Sequence, residues 1–323
     1  MSSPPPISLV PLPLVLSTLA LSAVGFIGNA IIIAATVRSS QLQNRCGFLI
    51  CLLATVDLVI SGYLVQLRVM QLYNVYLITN HVCFLHSIHG IFCLSFQSGL
   101  GFSIGVDRLL AVIKPIKYKN LPISIHVFLV LCAFLYAVII TSIGAFDVSE
   151  QIIPVCMPPT AFNVTSRMVW IVASFAVGIL TLFVYGAAHY ECSKMGRTVE
   201  RTNRTSFLKL RRLLISLTIV VGVYALTWFL TVCALLVTQV LARDTPLARM
   251  VEQQLAWLVI INTSSNFFIY SWRAPEYRKA FVSLIFPCTQ KSRRDGGTST
   301  YHLGQATSSV SLTLTRNTAS QRW

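Results

Sequence analysis

The chain has 323 residues, of which 55% are apolar and only 11% are charged. Soluble domains carry about 25% charged residues, so this composition excludes an ordinary soluble protein and indicates an integral membrane protein. The formal net charge of +15 reflects where the basic residues lie relative to a membrane, so we expect contact with membrane lipids and no nucleic-acid partner.

Seven apolar runs follow one another along the chain, and each exceeds the roughly 20 residues that a membrane-spanning helix needs. They cover residues 12–37, 46–69, 82–112, 124–145, 168–189, 213–240 and 250–272. None alternates with the period of two that a barrel strand requires. The sequence therefore predicts an all-α membrane protein, a bundle of seven transmembrane helices in one domain of residues 12–272.

The basic residues indicate the orientation of this bundle. Successive connecting segments lie on alternate sides of the membrane. When they are assigned in this way, all but four of the 25 Lys and Arg residues fall on one side. The positive-inside rule makes that side cytoplasmic. We predict a multi-pass plasma-membrane protein with an extracellular N-terminus and a cytoplasmic C-terminus. Residues 1–11 are short and proline-rich, so ligand recognition must take place in the bundle or its loops.

The first two runs carry polar side chains at membrane depth. Asn29 follows Gly28 near the middle of the first run, where an unpaired amide is costly, so we expect a hydrogen bond to a neighbouring helix. Asp57 lies among Leu, Val and Ile in the second run, and an ionisable residue there indicates function. Its expected partners are Asn262 and Asn266, which are four apart on one face of the seventh run.

Arg68 lies close to three helical turns beyond Asp57, so it projects from nearly the same face toward the outer side. Two interpretations remain open. Its side chain can extend to the outer lipid headgroups, or it can serve as a cation in a ligand pocket and pair with an acidic group of the ligand.

Two histidines occupy the outer part of the third run. His86 and His89 are three apart, and Cys93 follows one turn later. That spacing can serve a metal ion, but no fourth ligand is evident, so we predict no metal site. We expect one of the two histidines to line the ligand cavity, where its charge would depend on pH.

The third run ends in a charged pair followed by a recognisable pattern. On its own, Asp107-Arg108 is explained by a helix end that reaches headgroups and water. The pattern that follows resembles the end of the third helix and the second cytoplasmic loop of rhodopsin-like G-protein-coupled receptors. It consists of Asp107-Arg108-Leu109, Val112-Ile113, Pro115-Ile116 and Tyr118. Leu109 replaces the tyrosine that is usual in those receptors.

This resemblance extends over about residues 25–286 and implies a receptor that transmits an extracellular ligand signal to a heterotrimeric G protein, with no catalysis. The Asp-Arg-Leu start, the proline-free fifth to seventh helices and the short N-terminus are most similar to nematode serpentine chemoreceptors of the Srsx class. A neuropeptide receptor is the alternative within the class, so the ligand is a small molecule or a peptide. A transporter is a distant alternative, because no internal repeat is found.

The resemblance also implies roles for individual residues. Those implied to act in G-protein coupling are Asp107, Arg108, Pro115, Tyr118, Tyr185 and Tyr270. Those implied to form a polar network around a sodium ion are Asn29, Asp57, Gln97, Asn262 and Asn266. Gln97 replaces the usual serine, and its amide can take the place of the ion. We therefore predict no cofactor and keep sodium as the alternative.

Two features belong to the predicted outer side. Cys83 and Cys156 both face an oxidising compartment and form the predicted disulfide, and the spacing from Cys83 to Arg108 matches the bridge of the similar receptors. A free Cys156 is the alternative, since nine cysteines are an odd number. The sequon at Asn163 is the one on the outer side, so Asn163 is the predicted glycosylation site.

The sixth run departs from the receptor pattern, because it reads Tyr224-Ala225-Leu226-Thr227-Trp228-Phe229-Leu230 where a Cys-Trp-x-Pro motif is usual. Without proline, the helix lacks the usual cause of a kink. We expect a regular hydrogen-bond ladder, with Gly222 as the candidate hinge. Trp228 is the candidate trigger residue below the ligand, and core packing is its alternative role.

Residues 273–288 follow the seventh run and predict an amphipathic eighth helix that starts at Pro275. Tyr277 and Phe281 lie on one face, which we expect in the membrane interface, while Arg278 and Lys279 face lipid headgroups. The sequence therefore predicts a second, surface-lying membrane contact after the bundle.

The end of the chain carries candidate modification sites. Cys288 is a juxtamembrane palmitoylation candidate, with an unmodified thiol as the alternative. Residues 289–323 are rich in Ser and Thr and are predicted to form a disordered tail. Phosphorylation of this tail would create an anionic stretch for arrestin.

Overall fold

The computed structural model describes residues 10–73, 75, 77–114, 117, 118, 120–199, 215, 218, 219, 221–241 and 245–285. The long helices are α1 (Leu12–Arg38), α2 (Arg45–Leu72), α3 (Asn80–Ile113), α4 (Ile123–Phe146), α5 (Val164–Val199), α6 (Val221–Leu241), α7 (Pro246–Arg273) and α8 (Pro275–Ile285). Each predicted run coincides with one helix, although part of the sixth run lies outside the described residues. A one-turn helix, Pro158–Ala161, precedes α5.

Within the described part of the chain, α1 to α6 are long and apolar enough to cross a membrane. Helix α7 has 28 residues, which is also long enough. It is more polar than the others, because it carries Gln253, Gln254, Asn262 and Asn266 among its apolar residues. Length thus supports seven crossings, and apolarity alone supports six.

Short polar side chains start several of the helices. The Asn44 side chain accepts a hydrogen bond from the Gly47 amide at 2.9 Å before α2. Thr245 does the same for the Ala248 amide at 3.2 Å before α7. Such caps satisfy backbone donors that a helix start leaves unpaired. Pro246 and Pro275 occupy first-turn positions of α7 and α8, where a missing N–H has no cost.

Helix α3 lies at the centre of the bundle and contacts α2, α4 and α5, while α1 packs against α2 and α7. Small residues allow these close approaches. A Cβ added at Gly99 would lie 2.8 Å from the Ala133 Cβ on α4. One added at Gly105 would lie 2.7 Å from the Tyr185 ring on α5. Small residues at helix contacts are typical of membrane bundles, where tight van der Waals packing holds the helices together.

The start of α3 is joined to the segment between α4 and α5. Cys83 and Cys156 form a disulfide, which confirms the predicted pair. Strand β1 (Ile78–Thr79) pairs antiparallel with β2 (Ile152–Ile153) beside it. We call this end of the bundle the disulfide end, and the opposite end, where α3 finishes, the Arg108 end.

Helix α8 starts at Pro275, as predicted, but its aromatic face packs differently. Tyr277 and Phe281 are only 5% and 4% exposed. Phe281 lies 5.1 Å from Phe267 of α7, measured between ring centroids, and the Tyr277 hydroxyl lies 3.4 Å from that of Thr36 on α1. The prediction that these rings lie in the membrane interface is wrong, because α1 and α7 offer them a buried apolar surface.

On the polar face of α8, Arg278 and Lys279 are exposed, and their contact with lipid headgroups stays a prediction. Burial raises the pKa of the Tyr277 hydroxyl to about 12, so this phenol stays protonated at neutral pH. Cys288 and the tail of residues 289–323 lie outside the described residues, and so their predicted modifications stay predictions.

Candidate functional site

A cavity opens between α2, α3, α5, α6 and α7 toward the disulfide end. We call it the Arg68 cavity and define it by Arg68, Gln71, Trp170, Trp228, Leu235 and Glu252. The empty space in this cavity, with the open solvent at its mouth included, is about 590 Å³. Apolar side chains make up most of the wall, so the few polar groups decide which ligand chemistry it accepts.

Arg68 supplies the positive charge of this cavity. Its side chain is only 3% exposed, and Nη1 donates to the Gln71 Oε1 atom at 2.7 Å. Its Nε atom has no hydrogen-bond partner among the described residues. The headgroup interpretation is therefore wrong, since the guanidinium is buried inside the bundle. The pocket-cation interpretation agrees with this position.

Glu252 supplies a negative charge from the opposite wall. It lies in α7 and is 7% exposed. The Gln239 Nε2 atom on α6 donates to its Oε1 atom at 3.0 Å. The predicted seventh run, residues 250–272, included Glu252. The Thr245-Pro246 pair, an N-cap followed by a first-turn proline, starts α7 four residues before that run.

The two candidate histidines do not line this cavity. The side chains of His86 and His89 are both exposed, and contact of one of them with the ligand stays a prediction. Positions 83, 87, 90 and 94 of α3 face the interior instead, as the helical period requires. Gly90 leaves space for Tyr63, because a Cβ there would lie 2.2 Å from the Tyr63 ring.

Trp228 belongs to α6, and its side chain lines the Arg68 cavity. It is buried, and its ring meets the edge of Trp170 with centroids 6.4 Å apart. Residues Ala225–Phe229 form a π-helical turn, so the predicted regular ladder is wrong. A π turn interrupts the α-helical ladder and is a recognised cause of a kink. This turn lies where the proline of the usual motif would be, and the hinge at Gly222 stays a prediction.

The predicted polar network surrounds Asp57, which is fully buried. The Gln97 Nε2 atom donates to its Oδ1 atom, and the Asn266 Nδ2 atom donates to Oδ2 at 2.5 Å. Hard cations require oxygen ligands, whereas two amide groups point their hydrogens at this carboxylate. These residues, as placed, do not fit a sodium site, because both oxygens of the Asp57 carboxylate already accept hydrogen bonds from amide groups.

Two asparagines connect this network to other helices. The Asn262 Oδ1 atom accepts from the Thr227 hydroxyl at 3.2 Å, which links α7 to the π turn. The Asn29 Nδ2 atom donates to the Gly25 and Thr263 carbonyls at 3.0 and 2.9 Å. Asn29 thus joins α1 to α7 through the backbone, as the packing interpretation expects.

A second cavity lies below the network and is lined by Gln97, Tyr185, Asn262, Asn266 and Tyr270, among others. Its volume is about 510 Å³ including the opening. Tyr185 and Tyr270, both predicted to act with Arg108, share this cavity. Space is therefore available between the network and the Arg108 end.

At the Arg108 end, the carboxylate of Asp107 has three partners. The Tyr118 hydroxyl and the His126 Nε2 atom each lie 2.8 Å from Oδ1, and the Arg108 Nη2 atom lies 3.2 Å from Oδ2. Asp107 is 1% exposed. His126 was missed by the sequence interpretation, although a histidine in an apolar run was a usable signal. Pro115 lies outside the described residues.

Tyr118 lies beyond the end of α3 and donates to Asp107. Burial and then the charge of Asp107 raise the pKa of the Tyr118 hydroxyl above its ordinary value. The phenol therefore keeps its proton at neutral pH and remains a donor. Together, Tyr118 and His126 hold the carboxylate that pairs with Arg108.

Comparison with known protein families identifies the family of the chain that carries these sites. Residues 22–285 match the family model described as serpentine type 7TM GPCR chemoreceptor Srsx. The chain belongs to this family. The match covers α2 to α8 and most of α1, so α7 is the seventh crossing of a seven-helix receptor.

For this receptor, the match confirms the family predicted from the Asp107–Tyr118 pattern and agrees with a multi-pass membrane protein. It assigns no role to single residues. The coupling roles of Asp107, Arg108, Tyr185 and Tyr270 stay predictions. So does glycosylation of Asn163, whose side-chain Oδ1 atom accepts from the Val164 amide at 2.8 Å.

Proposed function

We propose that this receptor detects a small extracellular molecule in the Arg68 cavity and transmits the signal to a heterotrimeric G protein at the Arg108 end. The role is chemosensory. In this proposal the disulfide end is extracellular, and the Arg108 end and the C-terminus are cytoplasmic at the plasma membrane. The distribution of Lys and Arg supports this orientation.

One observation carries the proposal: Trp228 belongs both to the wall of the Arg68 cavity and to the π turn of α6. A ligand that contacts Trp228 therefore acts on an irregular and adjustable part of the backbone. Conversion of a π turn to an α-helix removes one residue from the turn. The helix beyond it then rotates by about 100° and shifts by about 1.5 Å.

The signal then passes along side chains that contact one another. Thr227, next to Trp228, donates to Asn262, and Asn266 four residues later holds Asp57. The second cavity gives Tyr185 and Tyr270 room to move. A ligand that favours one arrangement of these groups shifts the population of receptor states, and no chemistry on the ligand is needed.

The output of this shift is the release of Arg108. In the arrangement described here, Arg108 is buried beside Asp107. Release would expose its guanidinium to the G protein, and a phosphorylated tail would recruit arrestin. Arg278 and Lys279 on α8 would hold this face against anionic lipid headgroups.

The test is a calcium-release assay in cells that co-express the receptor with a promiscuous Gα subunit. Small acids, volatile compounds and peptides are screened, and each active compound is repeated on Arg108→Ala. We expect responses to small molecules that Arg108→Ala abolishes at equal surface expression. Arg38→Ala is the matched control, since Arg38 is exposed at the end of α1, and it should respond normally.

Two outcomes would contradict the proposal. Full responses in Arg108→Ala would show that the Arg108 end is not the output. Responses to peptides alone would favour the neuropeptide-receptor alternative.

A further inference from the structure

We propose that the Arg68 cavity takes a small organic anion, a carboxylate on a compact apolar body, whose carboxylate pairs with Arg68. This inference rests on the proposed function, since it names the ligand class of the same cavity. It is carried by the hydrogen bonding of Arg68, the position of Glu252 and the shape of the apolar wall.

The guanidinium of Arg68 is buried and incompletely paired. One of its nitrogens donates to Gln71, and Nε has no partner among the residues that the structure describes. A buried charge without full hydrogen bonding is unfavourable. A carboxylate offers two acceptor oxygens in the geometry that a guanidinium matches. Binding such a group would satisfy the unpaired donor and neutralise the charge together.

Neighbouring side chains do not supply this carboxylate. The Tyr63 hydroxyl, which lies on the same helix, donates to Ser87 at 3.0 Å. Glu252 lies on the α7 wall, where Gln239 holds its Oε1 atom. Its negative charge would repel an anion on that side. The ligand carboxylate is thus directed to the α2 wall, beside Arg68 and Gln71.

The rest of the cavity suits an apolar body. Leu67, Leu94 and Leu235 line it together with the rings of Trp170 and Trp228. A carboxylate held at Arg68 would place its body against these rings. Charge recognition at α2 would in this way bring apolar contact to the π turn of α6. A neutral molecule could make the apolar contact, but it would leave the Arg68 donor unpaired.

The same features disfavour a cationic ligand. Amine recognition inside a bundle needs a carboxylate near the bound ammonium, and the Glu252 carboxylate in this cavity already accepts a hydrogen bond from Gln239 at Oε1. At the interior position Gly90 of α3 there is no side chain, and the Tyr63 ring fills the space. The ammonium of an amine ligand would meet the charge of Arg68 in the same cavity.

The test measures binding directly on purified receptor in lipid nanodiscs without a G protein. Butyrate, octanoate and phenylacetate are titrated at neutral pH against octan-1-ol and octylamine. The readouts are intrinsic tryptophan fluorescence, because Trp170 and Trp228 line the cavity, and the melting temperature. We expect octanoate to act at concentrations at least about tenfold below those of octan-1-ol, as a charge-assisted hydrogen bond predicts.

Variants assign the preference to Arg68. Arg68→Gln should remove the preference for octanoate over octan-1-ol while octan-1-ol binding stays unchanged. Arg68→Lys should restore part of it, since a lysine keeps the charge but not the paired donors. Arg278→Gln, an exposed change on α8, should leave it intact. If Arg68→Gln does not fold, the ligand comparison on the unaltered receptor still decides.

The inference is overturned if the three acids fail to bind, if octan-1-ol binds as well as octanoate, or if octylamine binds best. These outcomes are separable from the proposed function. Acid binding without calcium release would contradict signalling alone. Calcium release driven only by neutral compounds would support signalling and refute the ligand class.

Discussion

The two ends of the bundle treat a buried arginine in opposite ways. At the Arg108 end, Arg108 lies beside a carboxylate that Tyr118 and His126 also hold. Among the described residues both guanidinium groups have an unpaired Nε atom, but Arg68 has an amide acceptor at Gln71 where Arg108 has a carboxylate beside it. A buried charge that is held internally indicates a resting state. One that is not held indicates a site that a ligand completes.

The largest expected effect breaks the pairing at the Arg108 end. Asp107→Ala leaves Arg108 buried without its carboxylate, and loss of one partner of a buried ion pair costs about 3–5 kcal/mol. We expect a lower melting temperature in nanodiscs and low surface expression. Arg278→Ala is the control, because Arg278 is exposed. A melting temperature equal to that of the unaltered receptor would refute the internal pairing.

A second effect tests the network between the two ends. Asp57→Ala leaves the Gln97 and Asn266 amides without their acceptor, and each buried unpaired group costs about 1–3 kcal/mol. Thermal unfolding of purified protein measures this loss. Sodium chloride and potassium chloride should give the same melting temperature for the unaltered receptor, because the two amides occupy the carboxylate. Specific stabilisation by sodium would contradict that arrangement.

A third effect weakens the Arg108 end without breaking it. His126→Ala removes one hydrogen bond to Asp107, at a cost of about 1–2 kcal/mol. If that bond favours the resting state, ligand-free signalling should rise about 5–30-fold. Second-messenger output at matched surface expression measures it, with Cys132→Ala, an exposed change on the same helix, as control. Unchanged basal output would show that the hydrogen bond between His126 and Asp107 does not stabilise the resting state.

The smallest expected effect is on the stability of the receptor when the charge of Arg68 in the cavity is removed. Arg68→Gln, measured without ligand, replaces an incompletely paired charge with a neutral amide. We expect a stability change within about 1 kcal/mol, or a gain, because removal of a buried charge relieves its desolvation cost. The melting temperatures of Arg68→Gln and Asp107→Ala, measured side by side, show directly which arginine is paired within the protein. A loss as large as that of Asp107→Ala would show that Arg68 is internally satisfied.

Sequence patterns predicted the features that depend on local composition or on one strong motif. Apolar runs located most of the described helix ends to within a few residues, because a bilayer core imposes a minimum length, although α5 continues ten residues beyond its run. The pattern from Asp107 to Tyr118 identified the family, and the paired cysteines followed from topology. Asp57 with Asn266 was also predicted, since a buried carboxylate requires donors and few residues at membrane depth can donate.

The failures concern contacts between segments that are distant in the chain. His126 was overlooked because its partner, Asp107, lies on another helix. One of His86 and His89 was expected to line the ligand cavity, although their spacing does not determine which face of the helix turns inward. The π turn at Trp228 could not be foreseen, because the missing proline predicts a regular ladder.

The sequence by itself determined that this chain crosses a membrane in long helices, which family it belongs to and which side carries the positive charge. These properties are sums over local residues, so they do not require knowledge of how the helices pack. Only the tertiary structure decided that Arg68 and Glu252 share a cavity, that Gln97 holds Asp57 and that Tyr277 packs inside the bundle. Those facts depend on helix rotation and close packing, where a shift of one residue reverses the face that a side chain presents.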